Sequence, residues 1–135
     1  MQKIRKYRTE LLTLTFASLT LIFLLEKPIR DYIPVIFAII GFGRFAILTW
    51  KKYYELSDNL IVNHKKLLTE NGIDFGQRAG INRVNFFDLI SERKKLSVSE
   101  KKIENDLIEL NYLKNMALIS FLGFGILGII SVILT

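Results

Sequence analysis

MALISFLGFGILGIISVILT, residues Met116 to Thr135, is a run of twenty residues without a single charge. The hydrocarbon layer of a bilayer is about 30 Å thick, and a helix rising about 1.5 Å per residue needs roughly 20 apolar residues to cross it. A soluble helix of this length would carry a polar face instead. The stretch therefore predicts a membrane-spanning helix. Two earlier blocks have the same character: Ile33 to Trp50 runs eighteen residues with Arg44 as its one charge, and Leu11 to Leu25 runs fifteen with none. Tyr32 and the aliphatic stems of Lys51 and Lys52 lengthen the second block, and Thr9 with the stems of its basic neighbours lengthens the first. A basic start before an apolar stretch also describes a cleaved signal peptide. Against that, Leu24-Leu25-Glu26-Lys27-Pro28 offers no small-residue cleavage site, and the next block follows after only seven residues. The expected fold is an all-α membrane protein with three transmembrane helices.

Lys and Arg set the expected orientation, because they concentrate on the cytoplasmic side. The leader carries Lys3, Arg5, Lys6 and Arg8, whereas the first loop, Glu26 to Tyr32, balances Lys27 and Arg30 with Glu26 and Asp31. Residues 51–115 hold twelve basic side chains. The leader and this long segment are thus expected in the cytoplasm, with the short loop and Thr135 outside, in the cytoplasmic (inner) membrane. The basic leader also suits anionic lipid, at about 1 kcal/mol per basic residue. The chain's net charge of +6 does not point to nucleic acid. In residues 51–115 ten acids offset the twelve bases, and the signs are mixed rather than gathered on one face.

Between the second and third blocks the periodicity is helical. Tyr53, Leu56, Leu60, Ile61, Leu67 and Leu68 recur at helical spacing from Lys51 to Glu70 with no Gly or Pro between, and Asn71-Gly72 is a stop. Pro34 is expected in the first turn, where its missing N–H costs nothing. At the other end Ser97-Val98-Ser99-Glu100 reads as a capping box, and Ile103, Leu107, Leu110 and Leu113 lead directly into Met116. Pro34 to Glu70 and Val98 to Leu134 are both 37 residues, about 55 Å each. The second and third spanning helices are thus expected to extend into a cytoplasmic antiparallel hairpin, projecting about 25 Å beyond the lipid. Gly72 to Gly80 is expected as a loop, and Asn82 as the cap of a short connecting helix carrying Val84, Phe86, Phe87, Leu89 and Ile90. Such a helix is too apolar to stay free, so Phe86, Phe87 and Ile90 are candidates for docking on the stalk tip, on the membrane surface or on a cytoplasmic partner. The resulting division is 1–50 for leader and membrane hairpin, 51–115 for stalk and connector, and 116–135 for the third span.

Few residues invite chemistry. Arg44 is the sharpest, because a charge near mid-span costs about 2.5–3.5 kcal/mol and usually faces protein or water. It lies six residues before Trp50, about 9 Å from the boundary, so its stem can also snorkel. Measured from the outer boundary, Glu10 and Arg44 differ in depth by about 6 Å, within reach of an ion pair. Gly41, Gly43, Gly123, Gly125 and Gly128 are candidates for close helix packing, within or between chains. The absence of cysteine excludes disulfides and thiolate metal sites. Gly72, Gly76 and Gly80 lack the Lys-Ser/Thr ending of a phosphate loop. His64 stands beside Lys65 and Lys66 without the makings of a triad. Asp106 and Glu109 are expected to trade salt bridges with Lys102. No catalytic residue, metal site or cofactor is expected.

Three spans do not enclose a conducting path by themselves, while a long hairpin offers a surface for self-association. The expected function is a homo-oligomeric membrane protein that alters permeability, such as a toxic or antiviral-defence pore restrained by a partner. The alternative is a non-catalytic accessory subunit of a membrane transport or secretion complex, docked through its connector helix.

Overall fold

Apolar composition carries directly into helix in the computed structural model, which describes residues 2–96 and 101–134. The chain is mostly helical, and three of its helical runs are long and apolar enough to cross a membrane: Gln2–Leu24, Ile29–Asn63 and Lys101–Ile133. The mean hydropathy of their most apolar windows is 1.2, 1.9 and 2.5, yet at most 33% of any window is buried within the chain. Leu12, Phe16, Phe23, Ile39, Ile47, Leu122, Ile129 and Val132 are all exposed. A row of exposed aliphatic and aromatic side chains on this scale is what lipid contact requires. The capping box expected at residues 97–100 lies outside the described residues.

The chain divides into two compact units. The first comprises Met1–Ile47 and Tyr112–Thr135. It draws on α1 (Gln2–Leu24), α2 (Ile29–Phe37), a π-helical turn (Ala38–Gly43), the start of α3 (Arg44–Asn63) and most of α7 (Lys101–Ile133). Leu11, Ile22, Ile33, Phe37, Phe45, Met116 and Leu127 are buried in it, as are Ser18, Ser120 and Ser131. Two of these serines are satisfied locally or across the unit: Ser120 Oγ donates to Met116 O at 2.8 Å, and Ser131 Oγ to Asp31 Oδ1 at 3.0 Å.

Pro34 is not in the first turn, as its position in the sequence suggested. The helix starts earlier, at Ile29, and Pro34 sits inside it. An interior proline removes one hydrogen bond and crowds the preceding turn. The π-helical turn follows four residues later and contains Gly41 and Gly43. Wide turns of this kind interrupt α-helices where the regular ladder is disturbed, and they are frequent at functional sites.

The second unit, Leu48–Asn111, adds α4 (Lys65–Glu70), strands β1 (Phe75–Arg78) and β2 (Ile81–Val84), α5 (Phe86–Ser91) and α6 (Arg93–Leu96). Its core joins Tyr53, Leu56 and Leu60 of α3 to Leu68, Ile73, Val84, Leu89 and Leu96, and to Ile103, Leu107 and Leu110 of α7. Removing a fully buried leucine from such a core costs about 2–5 kcal/mol.

Three sequence expectations are corrected in this unit. The helix over residues 51–70 is broken at His64 (φ −133°, ψ 30°), between α3 and α4. Hydrogen bonds from His64 N to Leu60 O and from Leu68 N to His64 O hold the two pieces in line. The segment expected as a loop is instead an antiparallel ribbon, with Phe75 opposite Val84 and Arg78 opposite Ile81, so the fold is not wholly α. Its two-residue turn places Ala79 (φ 52°) and Gly80 (φ 77°) in the left-handed region. That geometry matches the right-handed twist of the flanking strands. Finally, Asn82 caps nothing: it lies in β2 and donates from Nδ2 to Asp58 Oδ1 at 2.8 Å. The cap of α5 is Asn85, whose Oδ1 accepts from the N–H of Phe87 at 3.0 Å and of Asp88 at 3.3 Å. Asn71 and Gly72 (φ 64°) end α4 as expected.

Candidate functional site

Glu10 projects from the first half of α1, and Arg44 is the first residue after the π-helical turn. Arg44 Nη2 stands 3.2 Å from Glu10 Oε1 and 3.0 Å from Oε2. Of the two oxygens only Oε1 accepts a hydrogen bond from this nitrogen, while Oε2 lies at ion-pair distance without one, so the contact is not a two-pronged fork. The pair is unequally covered, with the Glu10 side chain 28% exposed and that of Arg44 51%. Both residues line a cleft of about 400 Å³ together with Leu11, Leu14, Ala17, Ile40 and Phe45. Thr9 and Thr13 are its other polar lining residues. The Thr9 hydroxyl is turned to its own helix, donating to Arg5 O at 3.0 Å.

The chemistry available here is that of a fixed charge pair beside an apolar groove. An arginine so placed can hold an anion, neutralise a carboxylate or line water. Among the described residues, no cluster of three or more His, Asp or Glu side chains is arranged to hold a metal ion.

No protein-family model, curated protein or solved structure matches this chain.

The five glycines separate into two groups. A Cβ on Gly123 would come within 3.1 Å of the Phe37 ring, and one on Gly41 within 3.3 Å of Leu14 Cδ2 and 3.6 Å of Ser120. These two seat neighbouring helices closely. At Gly43, Gly125 and Gly128 an added Cβ would meet nothing within 4 Å, so these three border open space.

The connector residues separate as well. Phe86 and Ile90 pack partly against the core of the second unit, beside the buried Val84 and Leu89. Phe87 stands 81% exposed. Phe86 belongs to a group of rings with Trp50, Tyr53 and Tyr54, at centroid spacings of 5.2–6.3 Å. Tyr53 donates its hydroxyl to Val84 O at 2.5 Å, tying β2 to α3.

Sequence spacing also misplaced one ion-pair network. Asp106 and Glu109 both meet Lys52 of α3, at 2.5 and 3.1 Å, rather than Lys102 on their own helix. Lys52 is only 15% exposed. A single ammonium on a long stem can serve two carboxylates one turn apart, which a residue four positions along the same helix matches only for one of them. The sequence carried a hint in the spacing of Lys52 from Leu56 and Leu60, which puts its stem on the buried face of α3.

Proposed function

We propose that this chain is the subunit of a homo-oligomeric membrane assembly that alters permeability, a pore-type effector of toxic or defensive use whose activity a cytoplasmic partner restrains. The supporting observation is the half-exposed side chain of Arg44 within a long apolar helical run. Ile39 and Ile40, five and four residues before it, are exposed. Lipid favours the isoleucines and penalises the charge. A second copy, or water held between copies, suits both: the aliphatic side chains pack at the seam and Arg44 faces the polar interior.

The open faces of Gly43, Gly125 and Gly128 favour the same reading, because small residues are where transmembrane backbones approach in the absence of a hydrophobic drive. In this proposal the protein sits in the inner membrane with its N-terminus in the cytoplasm and its C-terminus outside. Residues 51–115 form the cytoplasmic hairpin stalk, held by the core of the second unit and by Lys52. Copies related by rotation would bring one Arg44 each to the axis, giving a ring that prefers anions.

The mass of the detergent-solubilised protein, corrected for bound detergent, tests assembly. A discrete oligomer of this chain alone is expected. A monomer that associates only with a second protein would overturn the proposal. In planar bilayers the reversal potential in a salt gradient should show anion preference, and Arg44→Glu should move it toward cations.

A further inference from the structure

We propose that α5 rests on the membrane surface, with Phe87 inserted at the headgroup–acyl boundary beside Trp50. The proposal rests on the reading of the long apolar helices as membrane spans, and not on any permeability function.

Phe87 is 81% exposed, more than any other large hydrophobic side chain among the described residues. It thus exceeds every exposed large hydrophobic residue of the spans, although it lies outside them. Its direction is fixed from several sides. Asn85 caps α5 through the backbone N–H of Phe87 itself. Leu89, two residues on, is fully buried, and Phe86 and Ile90 pack on the same core. Phe87 is the large apolar residue of α5 left facing away.

What covers it follows from Trp50. The apolar run Ile33–Trp50 ends there, and the next turn of α3 brings Lys51, Lys52 and Glu55. An exposed tryptophan at such a change of polarity occupies the interface, where its ring meets lipid and its N–H meets water. The Phe86 ring centroid is 6.3 Å from that of Trp50, and the Phe87 ring is 6.1 Å from that of Phe86. Phe87 is therefore within two ring spacings of a residue at the boundary. Cations accompany the rings: Lys51 is exposed in the adjoining position of α3, and the Arg83 guanidinium stands 5.7 Å from the Tyr54 ring centroid. Aromatic side chains beside long-stemmed cations suit the headgroup layer.

The chain has no cysteine, so single nitroxide labels at Phe87→Cys, Ile47→Cys and Val62→Cys can be read in the full chain in lipid nanodiscs. Ile47 precedes Trp50 by one turn, and Val62 follows it by twelve residues, about 18 Å. All three side chains are exposed, so the substitutions remove no core. The Phe87 label is expected to relax severalfold faster with oxygen than with a water-soluble nickel complex, as the Ile47 label does, while the Val62 label shows the reverse. A Phe87 label that behaves like Val62 overturns the proposal. A label shielded from both reagents overturns it too, and assigns the surface to a second copy or another protein. If the Ile47 label itself favours nickel, the membrane reading fails and the proposal falls with it.

Discussion

The Ser131 hydroxyl donates a 3.0 Å hydrogen bond to Asp31 Oδ1, joining residues one hundred positions apart. Asp31 lies in the first turn of α2 and Ser131 near the end of α7. The start of α2 and the C-terminal end of α7 therefore meet within the first unit. The Glu10–Arg44 pair joins the first half of α1 to the start of α3. Reporter fusions at the two termini are expected to score opposite sides, with the N-terminal fusion cytoplasmic. Two cytoplasmic scores would exclude three spans.

Arg44→Leu should impair the protein by leaving Glu10 charged without its partner, and adding Glu10→Gln should restore part of the loss. If Arg44 instead lines a pore, the double variant rescues nothing and Arg44→Glu reverses ion preference. If the side chain only snorkels, Arg44→Lys matches the parent and Glu10 is indifferent. Growth and membrane potential on expression separate these outcomes.

Gly123 and Gly128 should respond differently to the same substitution. Gly123→Leu drives a side chain into the Phe37 ring, a kind of overpacking that costs about 1–3 kcal/mol. A Cβ added at Gly128 meets no atom within 4 Å, so with Gly128→Leu the subunit should stay within about 0.5 kcal/mol of the parent while its oligomer weakens. Unfolding in detergent reads the first and size-exclusion mass the second. An intact oligomer with Gly128→Leu would remove that face from the assembly.

Leu60 and Leu107 are both buried in the core of the second unit. Leu107→Ala should cost about 2–5 kcal/mol, by lost burial plus the cavity left behind. Cysteine pairs placed along α3 and α7 around these positions should cross-link in register, and only background cross-linking would be incompatible with a packed stalk. Lys52→Met should loosen the same contact, because Asp106 and Glu109 would then face each other without their shared cation.

The three long apolar helices were legible in the sequence because a bilayer is a solvent of fixed thickness. Met116 to Thr135 satisfies it by length and lack of charge, properties that need no knowledge of neighbours. The ends of elements were legible where one residue decides them locally, as Gly72 does with its left-handed backbone. Glu10 and Arg44 stood in between: counting residues along each helix puts them at similar depth, but rotation about the helix axes decides whether they meet. The ribbon at Phe75–Val84 was hidden because its strands are four residues each and its turn is Ala-Gly rather than the usual Asn-Gly. Asn82 and Asn85 are chemically the same cap, and the contact of Asn82 with Asp58 makes the choice between them. Lys52 could have faced water or its own helix, and the packing of α3 against α7 gave it Asp106 and Glu109. Which glycines seat a neighbour was likewise settled by the placement of Phe37 and Leu14. Lengths, charges and stops act through the chain's own backbone and solvent, so sequence determined them. Pairings depend on which faces other elements present, and only the tertiary structure decided those.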